Sequence, residues 1–291
     1  MIAFINKVCE LFFIFIVFST AGWVMETVLY LVRDKQAVKR GFLFGPVCPI
    51  YGVAAVLCDM VFYHNKLFTE NAFLNSHKIL SYIIVFVIGF FMSGVLEYFT
   101  HYAMEKFFHA MWWDYSGRKF NLNGRIYLNG LLIFGAGVVL IVKFLLPAIY
   151  KLIDIIPNPV LYISCFVLYS IIIIDVATTI VDLKGAIRTI KNFQATAVEG
   201  AQKGVDLTTE QFEHLKDNFK NSEPYKKIIK ENPVVVRIKK RYPNFKMTNY
   251  KFLYDIIMND PDESKSRKDI KLYGTAETAP KKDEEESDRE S

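Results

Sequence analysis

Three acidic residues lie within otherwise apolar stretches of the sequence, and they are the first candidates for chemistry. Glu26, Glu97 and Asp175 each fall near one end of a run of roughly 17–20 almost uncharged residues. An ionisable side chain inside a bilayer is costly unless it is paired or hydrated, so each acid marks a candidate functional site. At 1.5 Å per residue, each lies about 10 Å inside the same membrane boundary.

Two arginines stand close enough to pair with these acids. Arg40 and Arg125 begin two further apolar runs, at the same predicted membrane face. In one interpretation, the acids and arginines line a water-filled cavity that opens to the cytoplasm and binds a polar or charged ligand. In the other, Glu–Arg pairs fix the helices in register and have no further role. The sequence leaves both interpretations open.

A stripe of Glu and His follows the second of these acids at intervals of four. It consists of Glu97, His101, Glu105 and His109, which lie on one gently drifting face of a helix. Glu and His on one face could hold a divalent metal if a second helix completed the ligand set. No other apolar run offers a His, so we predict a polar face that emerges into the headgroup region, and no metal.

The segment after this stripe is dense in aromatic and polar residues. Trp112, Trp113 and Tyr115 fit an interfacial aromatic belt, or alternatively a lid over the polar site. Further donors and acceptors follow in Asp114, Asn121, Asn123 and Arg125. Asn-Gly at positions 123 and 124 also suits a tight turn, so the fold explains part of this pattern.

Several signatures of soluble catalysis and nucleotide binding are absent from the sequence. It contains no GxxxxGK[ST], GxSxG, HExxH or GxGxxG motif, so the chain has no phosphate-binding loop of its own and no cofactor is predicted. The four cysteines show no CxxC spacing and fall in or beside apolar runs. We predict that they are free thiols used as small apolar residues.

The elements that must position these residues are transmembrane helices. The 291 residues are 52% hydrophobic and 15% aromatic, with a mean hydropathy of +0.22, and the apolar residues are clustered. The pattern predicts an all-α, polytopic membrane domain over residues 1–183, built as two repeated hairpins plus one helix. The five predicted spans are residues 11–32, 42–63, 79–99, 126–150 and 160–181. Asp59, near the far end of the second span, is expected to be an exposed helix end.

The basic residues predict the orientation. Lys and Arg are concentrated in the loops at 33–40 and 106–119 and in the tail, which places the N-terminus outside and the C-terminus in the cytoplasm. A weak repeat relates AGWVMETVLY to MSGVLEYFTHY, and LFGPVCPIYG to LNGRIYLNG. Each hairpin thus has a Glu at its inner end and a Leu-x-Gly corner that begins the returning helix.

The chain after residue 183 has a different character. Residues 184–273 are predicted to be a cytoplasmic, basic and partly helical tail, and residues 274–291 a disordered acidic end. Residues 226–246 hold eight basic side chains against one acid. They suit either anionic lipid headgroups or a solvated cytoplasmic face; nucleic acid is not predicted as a partner.

Four segments also resemble a known family. GWVMETV, RGFLFGPVCPIYG, VLEY and HAMWWDYSGRKFNLNGRI are similar to the motifs of bacterial membrane proteins named putative ABC-transporter type IV permeases, over about residues 10–180. The resemblance implies a polytopic permease component in the bacterial cell membrane, with a separate ATPase subunit as a possible partner. It supplies no catalytic residues.

Three functional hypotheses follow. The first is a transport-related subunit with a cytoplasm-facing polar cavity. The second is an intramembrane enzyme or binding protein for a lipid or other amphiphile, with Glu97 or His101 as the general base. The third is a scaffold that recruits a partner through its tail. Membrane lipids are expected partners in each, and a homo-oligomer is open.

Overall fold

The computed structural model describes residues 2–34, 41–108, 110–202, 223 and 246–247, and most of these are helical. Two five-residue π-helical segments interrupt the α-helices: Asp59–Tyr63 continues α2, and Ile141–Leu145 joins α6 to α7. The α-helices are α1 (Ile2–Asp34), α2 (Pro49–Cys58), α3 (Lys66–Thr69), α4 (Ala72–Ser76), α5 (Lys78–Phe108), α6 (Leu128–Leu140), α7 (Leu146–Ile155) and α8 (Asn158–Gln202).

Four helical stretches in the described part of the chain are long and apolar enough to cross a membrane. They are Ile2–Val32, Lys78–Phe108, Leu128–Ile155 and Asn158–Gly185. Many large apolar side chains on these helices remain exposed, including Phe91, Phe99 and Phe166. Exposed apolar surface of this extent suits contact with lipid rather than water. The chain is therefore a mostly helical, multi-pass membrane protein.

The second predicted span is shorter than expected. Its helix begins only at Pro49, which occupies the first turn, where a missing N–H costs nothing. The preceding residues, 41–48, are not helical: residues 41–46 form bends, with Gly41 at a φ of +98°. The ten residues of α2 and the five of the π segment together cover about 22 Å, less than the roughly 30 Å of a hydrocarbon core.

The fourth predicted span is continuous in direction but carries a π-helical segment near its middle. Pro147, in the first turn of α7, has no N–H to donate, and its ring crowds the carbonyl four positions earlier, that of Lys143. The π segment Ile141–Leu145 includes this carbonyl. The Lys143 ammonium donates to the Ser81 hydroxyl on α5 at 2.7 Å.

Each of the two hairpins is held by close helix contact. A Cβ added to Gly52 on α2 would lie 2.5 Å from the Phe15 carbonyl oxygen of α1, and one added to Gly89 on α5 would lie 2.6 Å from Val138 on α6. Small residues thus let the backbones approach, as is typical of membrane helices. Between the hairpins lies the apolar core, which includes Ile14, Phe18, Ala55, Phe62, Val85, Val138, Leu146 and Ile153.

In the described part of the chain, four two-residue strands depart from the all-α prediction. Strands β2 (Asn121–Leu122) and β3 (Ile126–Tyr127) form an antiparallel hairpin. At its tip Asn123 and Gly124 have φ of 54° and 67°, the conformation that Asn-Gly favours. Strand β1 (Ala110–Met111) pairs antiparallel with β4 (Lys246–Met247) of the tail. Apart from α8, residue 223 and β4, the predicted tail and the acidic end lie outside the described residues.

The helices define two ends of the bundle. At one end, here called the tail end, helices α1 and α5 finish and helices α2 and α6 start. At the other, here called the amino-terminal end, α1 starts. It lies there beside the π segment after α2, the end of α7 and the start of α8. The polar residues predicted from the sequence fall mainly at the tail end.

Candidate functional site

A cavity of about 190 Å³ lies at the tail end of the bundle. Helices α1, α2, α5 and α6 and the segment after β1 all contribute to its wall. Its lining combines two carboxylates with aromatic and small side chains: Glu26, Ile50, Tyr51, Ala54, Ser93, Leu96, Glu97, Trp112, Trp113, Tyr115 and Phe134. The structure thus brings together Glu26 and Glu97, one from each hairpin.

Glu26 is bound to the partner helix of its own hairpin. The Tyr51 hydroxyl, in the first turn of α2, donates to the Glu26 Oε1 atom at 2.9 Å. This contact is possible because Gly22, one turn before Glu26, has no side chain to occupy the space that the Tyr51 ring fills. The glycine at position 22 therefore allows α2 to pack closely against α1.

Glu97 is more deeply buried, at 7% exposed. The Tyr115 hydroxyl lies 3.4 Å from its Oε1 atom, beyond the usual 2.5–3.0 Å of an O–H···O hydrogen bond. Burial, followed by the negative charge of Glu97, raises the pKa of Tyr115, so this hydroxyl keeps its proton and acts as the donor. The hairpin β2–β3 positions Tyr115, because its N–H donates to the Gly124 carbonyl at 2.8 Å.

The two tryptophans are wall residues of the cavity. Trp112 is 4% exposed and packs edge-on against Phe42 and Phe108. The Trp113 indole N–H donates to the Arg125 carbonyl at 3.0 Å. Both tryptophans and Tyr115 line the cavity. This position is the one expected if these residues cover the polar site.

His101 contacts the cavity-lining residue Trp113. It is 1% exposed, and its Nε2 atom lies 3.0 Å from the Trp113 carbonyl oxygen. The Nδ1 atom has no hydrogen-bond partner among the described residues, and the Glu105 carboxylate is 3.9 Å away. His101 does not line the cavity.

Arg125 is engaged away from both cavity acids. Its guanidinium binds the Glu105 carboxylate at 2.9 Å and the Tyr98 hydroxyl at 2.6 Å, and it lies over the rings of Tyr98 and Tyr102. The hydrogen bond to Glu105 raises the pKa of Arg125 further. Because α5 extends two turns beyond Glu97, it carries Glu105 to the loop and supplies this partner.

Asp175 also lies apart from the cavity. Its two carboxylate oxygens accept hydrogen bonds from the N–H groups of Phe44 and Gly45, each at 2.8 Å, and Thr179 adds a third at 3.2 Å. Asp175 therefore fastens the irregular segment 41–48 to α8. Of the three acids predicted to form one layer, Glu26 and Glu97 line the cavity, whereas Asp175 binds the backbone of segment 41–48. Arg40 lies outside the described residues.

The other polar residues of the loop bind one another. The Asp114 carboxylate accepts from the Ser116 N–H at 2.9 Å. The Asn121 side chain donates to the Arg118 carbonyl at 2.7 Å and accepts from the Gly124 N–H at 3.0 Å. Asn123 donates to the Tyr98 hydroxyl at 3.1 Å. These contacts shape the loop that carries Trp113 and Tyr115.

The sequence prediction for Asp59 was wrong. Asp59 is fully buried at the amino-terminal end of the bundle, where its carboxylate binds the Lys7 ammonium at 3.2 Å and the Tyr150 hydroxyl at 2.8 Å, with His64 at 3.2 Å. The rings of Tyr63 and Tyr150 stack at 4.8 Å beside it. Lys7, which stands four residues before the first predicted span, was the signal that could have revealed this cluster.

Two further predictions concern metals and thiols. Among the described residues, no group of three or more His, Cys, Asp or Glu side chains is arranged to hold a metal ion. None of the four cysteines forms a disulfide, as predicted, and Cys48, Cys58 and Cys165 are buried.

Comparison with known proteins identifies a family. The model of a family described as putative ABC-transporter type IV matches residues 13–180, more than half of the chain. Neither the curated proteins nor the solved structures that were searched contain a match. The matched range includes both cavity acids, the aromatic wall, Arg125 and Asp175.

Proposed function

The chain belongs to the family described as putative ABC-transporter type IV, and from that premise we propose that it is a transport-related membrane subunit whose ligand binds between Glu26 and Glu97. One observation carries the proposal: two acidic side chains, contributed by different hairpins, line the same cavity. If the acids only fixed the helices in register, each would be expected to form an ion pair with a basic side chain. Glu97 instead meets only a tyrosine hydroxyl among the described residues.

The proposed topology has five crossings, with α2 and the segment 41–48 together making the second. Its support is the division of contacts between the two ends. Lys7, the π segment after α2 and Tyr150 meet at one end, whereas the segment 41–48 meets Asp175 at the other. The pairing of β1 with β4 keeps the loop and the tail on the same side. The basic loops make that side cytoplasmic, so the cavity opens to the cytoplasm.

Energy for transport would come from a separate ATPase subunit. The chain has no phosphate-binding loop motif, whereas the family is named for a class of ATP-driven transporters. The basic loops at 33–40 and 106–119 are the proposed docking surface, because the helices that they follow, α1 and α5, finish at the same end of the bundle. Anionic lipid headgroups are the proposed contacts of the basic tail.

The experiment that tests this function is a native purification in mild detergent, read by mass spectrometry for protein partners, lipids and small molecules. Wild type is compared with Glu26→Gln, Glu97→Gln and a matched control, Glu70→Gln, whose side chain is exposed. We expect an ATPase with all four proteins. A bound ligand should be retained by wild type and Glu70→Gln and lost from the two cavity variants.

Three outcomes would contradict the proposal. Equal ligand content in all four proteins would remove the cavity from the function. Absence of an ATPase, together with turnover of an amphiphile by the pure protein, would favour the intramembrane enzyme, with Glu97 as its base. Loss of the ATPase on deletion of residues 203–291, with both glutamates silent, would favour the scaffold.

A further inference from the structure

The charge balance of the cavity indicates the kind of ligand that it binds. No Lys, Arg or His lines it among the described residues. Glu97 is 93% buried, yet its hydrogen bond from Tyr115 is long, at 3.4 Å. A buried carboxylate is stable only when it is compensated by a cation or by several good hydrogen bonds. The site therefore has unused capacity for a positively charged donor.

The rest of the wall selects among positively charged groups. Tyr51, Trp112, Trp113 and Tyr115 contribute aromatic rings, and Phe134 completes the apolar side. The negatively charged faces of aromatic rings attract organic cations, most strongly for Trp. A hard metal ion would instead require several oxygen ligands, and the described residues offer no such cluster. The lining thus suits an alkylammonium group better than a metal ion or an anion.

The volume limits the size of that group. At about 190 Å³, the cavity is smaller than the roughly 300–1,000 Å³ of pockets for drug-sized ligands. It can hold a small amine or the headgroup of a larger amphiphile whose chains lie outside. Membrane helices bound the cavity, so both a free amine and a lipid headgroup are tested as sources below.

We propose that the cavity binds an alkylammonium group, with Glu97 as its principal counter-ion and Trp112 and Trp113 as its aromatic wall. The inference rests on the proposed function, since it assigns a ligand class to the same site. The shared chemistry is the ammonium group, which comes either from a free amine or from an aminolipid headgroup such as ethanolamine or choline.

The test uses the full-length protein in nanodiscs of phosphatidylglycerol, which contain no amine. Ethylammonium and choline are added while tryptophan fluorescence and the thermal unfolding midpoint are recorded, with sodium chloride at equal ionic strength as the reference. We expect a saturable change in fluorescence and a higher midpoint with the amines only. Trp23→Phe should keep the response, because Trp23 does not line the cavity.

The variants assign the response to the site. Glu97→Gln is expected to weaken amine binding at least tenfold, Glu97→Asp to restore part of it, and Glu70→Gln to leave it unchanged. If Glu97→Gln binds the amines as well as wild type does, the carboxylate is not the counter-ion and the proposal fails. The thermal response of the wild type to amines gives an independent result if Glu97→Gln does not fold.

A second arm distinguishes the two sources. Nanodiscs of phosphatidylethanolamine should already show the shifted fluorescence and should compete with free amine if the headgroup is the ligand. If only free amines bind, the protein in phosphatidylethanolamine nanodiscs should show the same fluorescence as in phosphatidylglycerol nanodiscs. No response to either source would overturn the ammonium assignment. A co-purified anion or neutral ligand lost from Glu97→Gln would do the same, while leaving the proposed function intact.

Discussion

Removal of Lys7 is expected to destabilise the protein more than neutralisation of its partner, Asp59. Loss of the ammonium leaves a fully buried carboxylate whose remaining partners among the described residues are the Tyr150 hydroxyl and His64. Breaking a buried ion pair from one side costs about 3–5 kcal/mol. Lys7 is 35% exposed, so water screens part of the interaction. We therefore expect about 2–3 kcal/mol for Lys7→Met.

Asp59→Asn should cost less, about 1–2 kcal/mol. The amide oxygen can still accept from the Tyr150 hydroxyl, and the ammonium of Lys7 can turn toward water. In the double variant no buried charge remains, so its cost should fall below the sum of the single costs by at least about 1 kcal/mol. Both expectations, the larger cost of Lys7→Met and the cost of the double variant below the sum, follow from the different exposure of Lys7 and Asp59.

The assay is unfolding in mixed micelles of increasing SDS fraction, followed by circular dichroism. Lys66→Met, which breaks a pair whose two side chains are 82% and 66% exposed, is the matched control and should change stability by less than about 0.5 kcal/mol. The reasoning is refuted if Lys7→Met costs no more than Asp59→Asn, or if the double variant is additive.

Three further changes test contacts at the tail end of the bundle and within the hairpins. Asp175→Asn replaces one of the two acceptors for the N–H groups of segment 41–48, and should cost about 1–3 kcal/mol in the same unfolding assay. Gly52→Ala places a Cβ 2.5 Å from the Phe15 carbonyl oxygen and should cost about 1–3 kcal/mol by separating α1 from α2. Arg125→Lys loses the guanidinium stacking on Tyr98, so amide hydrogen exchange should quicken in the loop 110–127 while the helices stay unchanged.

The sequence is a good guide to the helices and a poor guide to their ends. Long apolar runs predict α1, α5 and α8, because a membrane helix needs about 20 such residues. The start of α2 is displaced because Asp175 offers the segment 41–48 acceptors for its N–H groups. Those bonds replace the ones a helix would supply, and a contact between residues 130 positions apart leaves no local signal.

The candidate site was partly predictable for a similar reason. Glu26 and Glu97 stand out because a carboxylate in an apolar run needs a special environment, and the hairpin repeat places them at equal depth. The partner of Arg125 was missed. The apolar run ends before Glu105, whereas the helix continues, since a helix that leaves the membrane can go on with polar residues. Side chains paired across the loop, such as Arg125 with Glu105, cannot be assigned from spacing alone.

The two buried acids, Asp59 and Glu97, show why the tail end of the bundle is the better candidate for function. Both carboxylates are withdrawn from water, so both need compensation. Asp59 has a cation, a hydroxyl and a histidine within 3.2 Å, and no cavity is needed beside it. Glu97 has a hydroxyl at 3.4 Å and an open volume next to it. A buried carboxylate with one long hydrogen bond beside a cavity is therefore a better candidate for binding a ligand than Asp59, whose partners are all close.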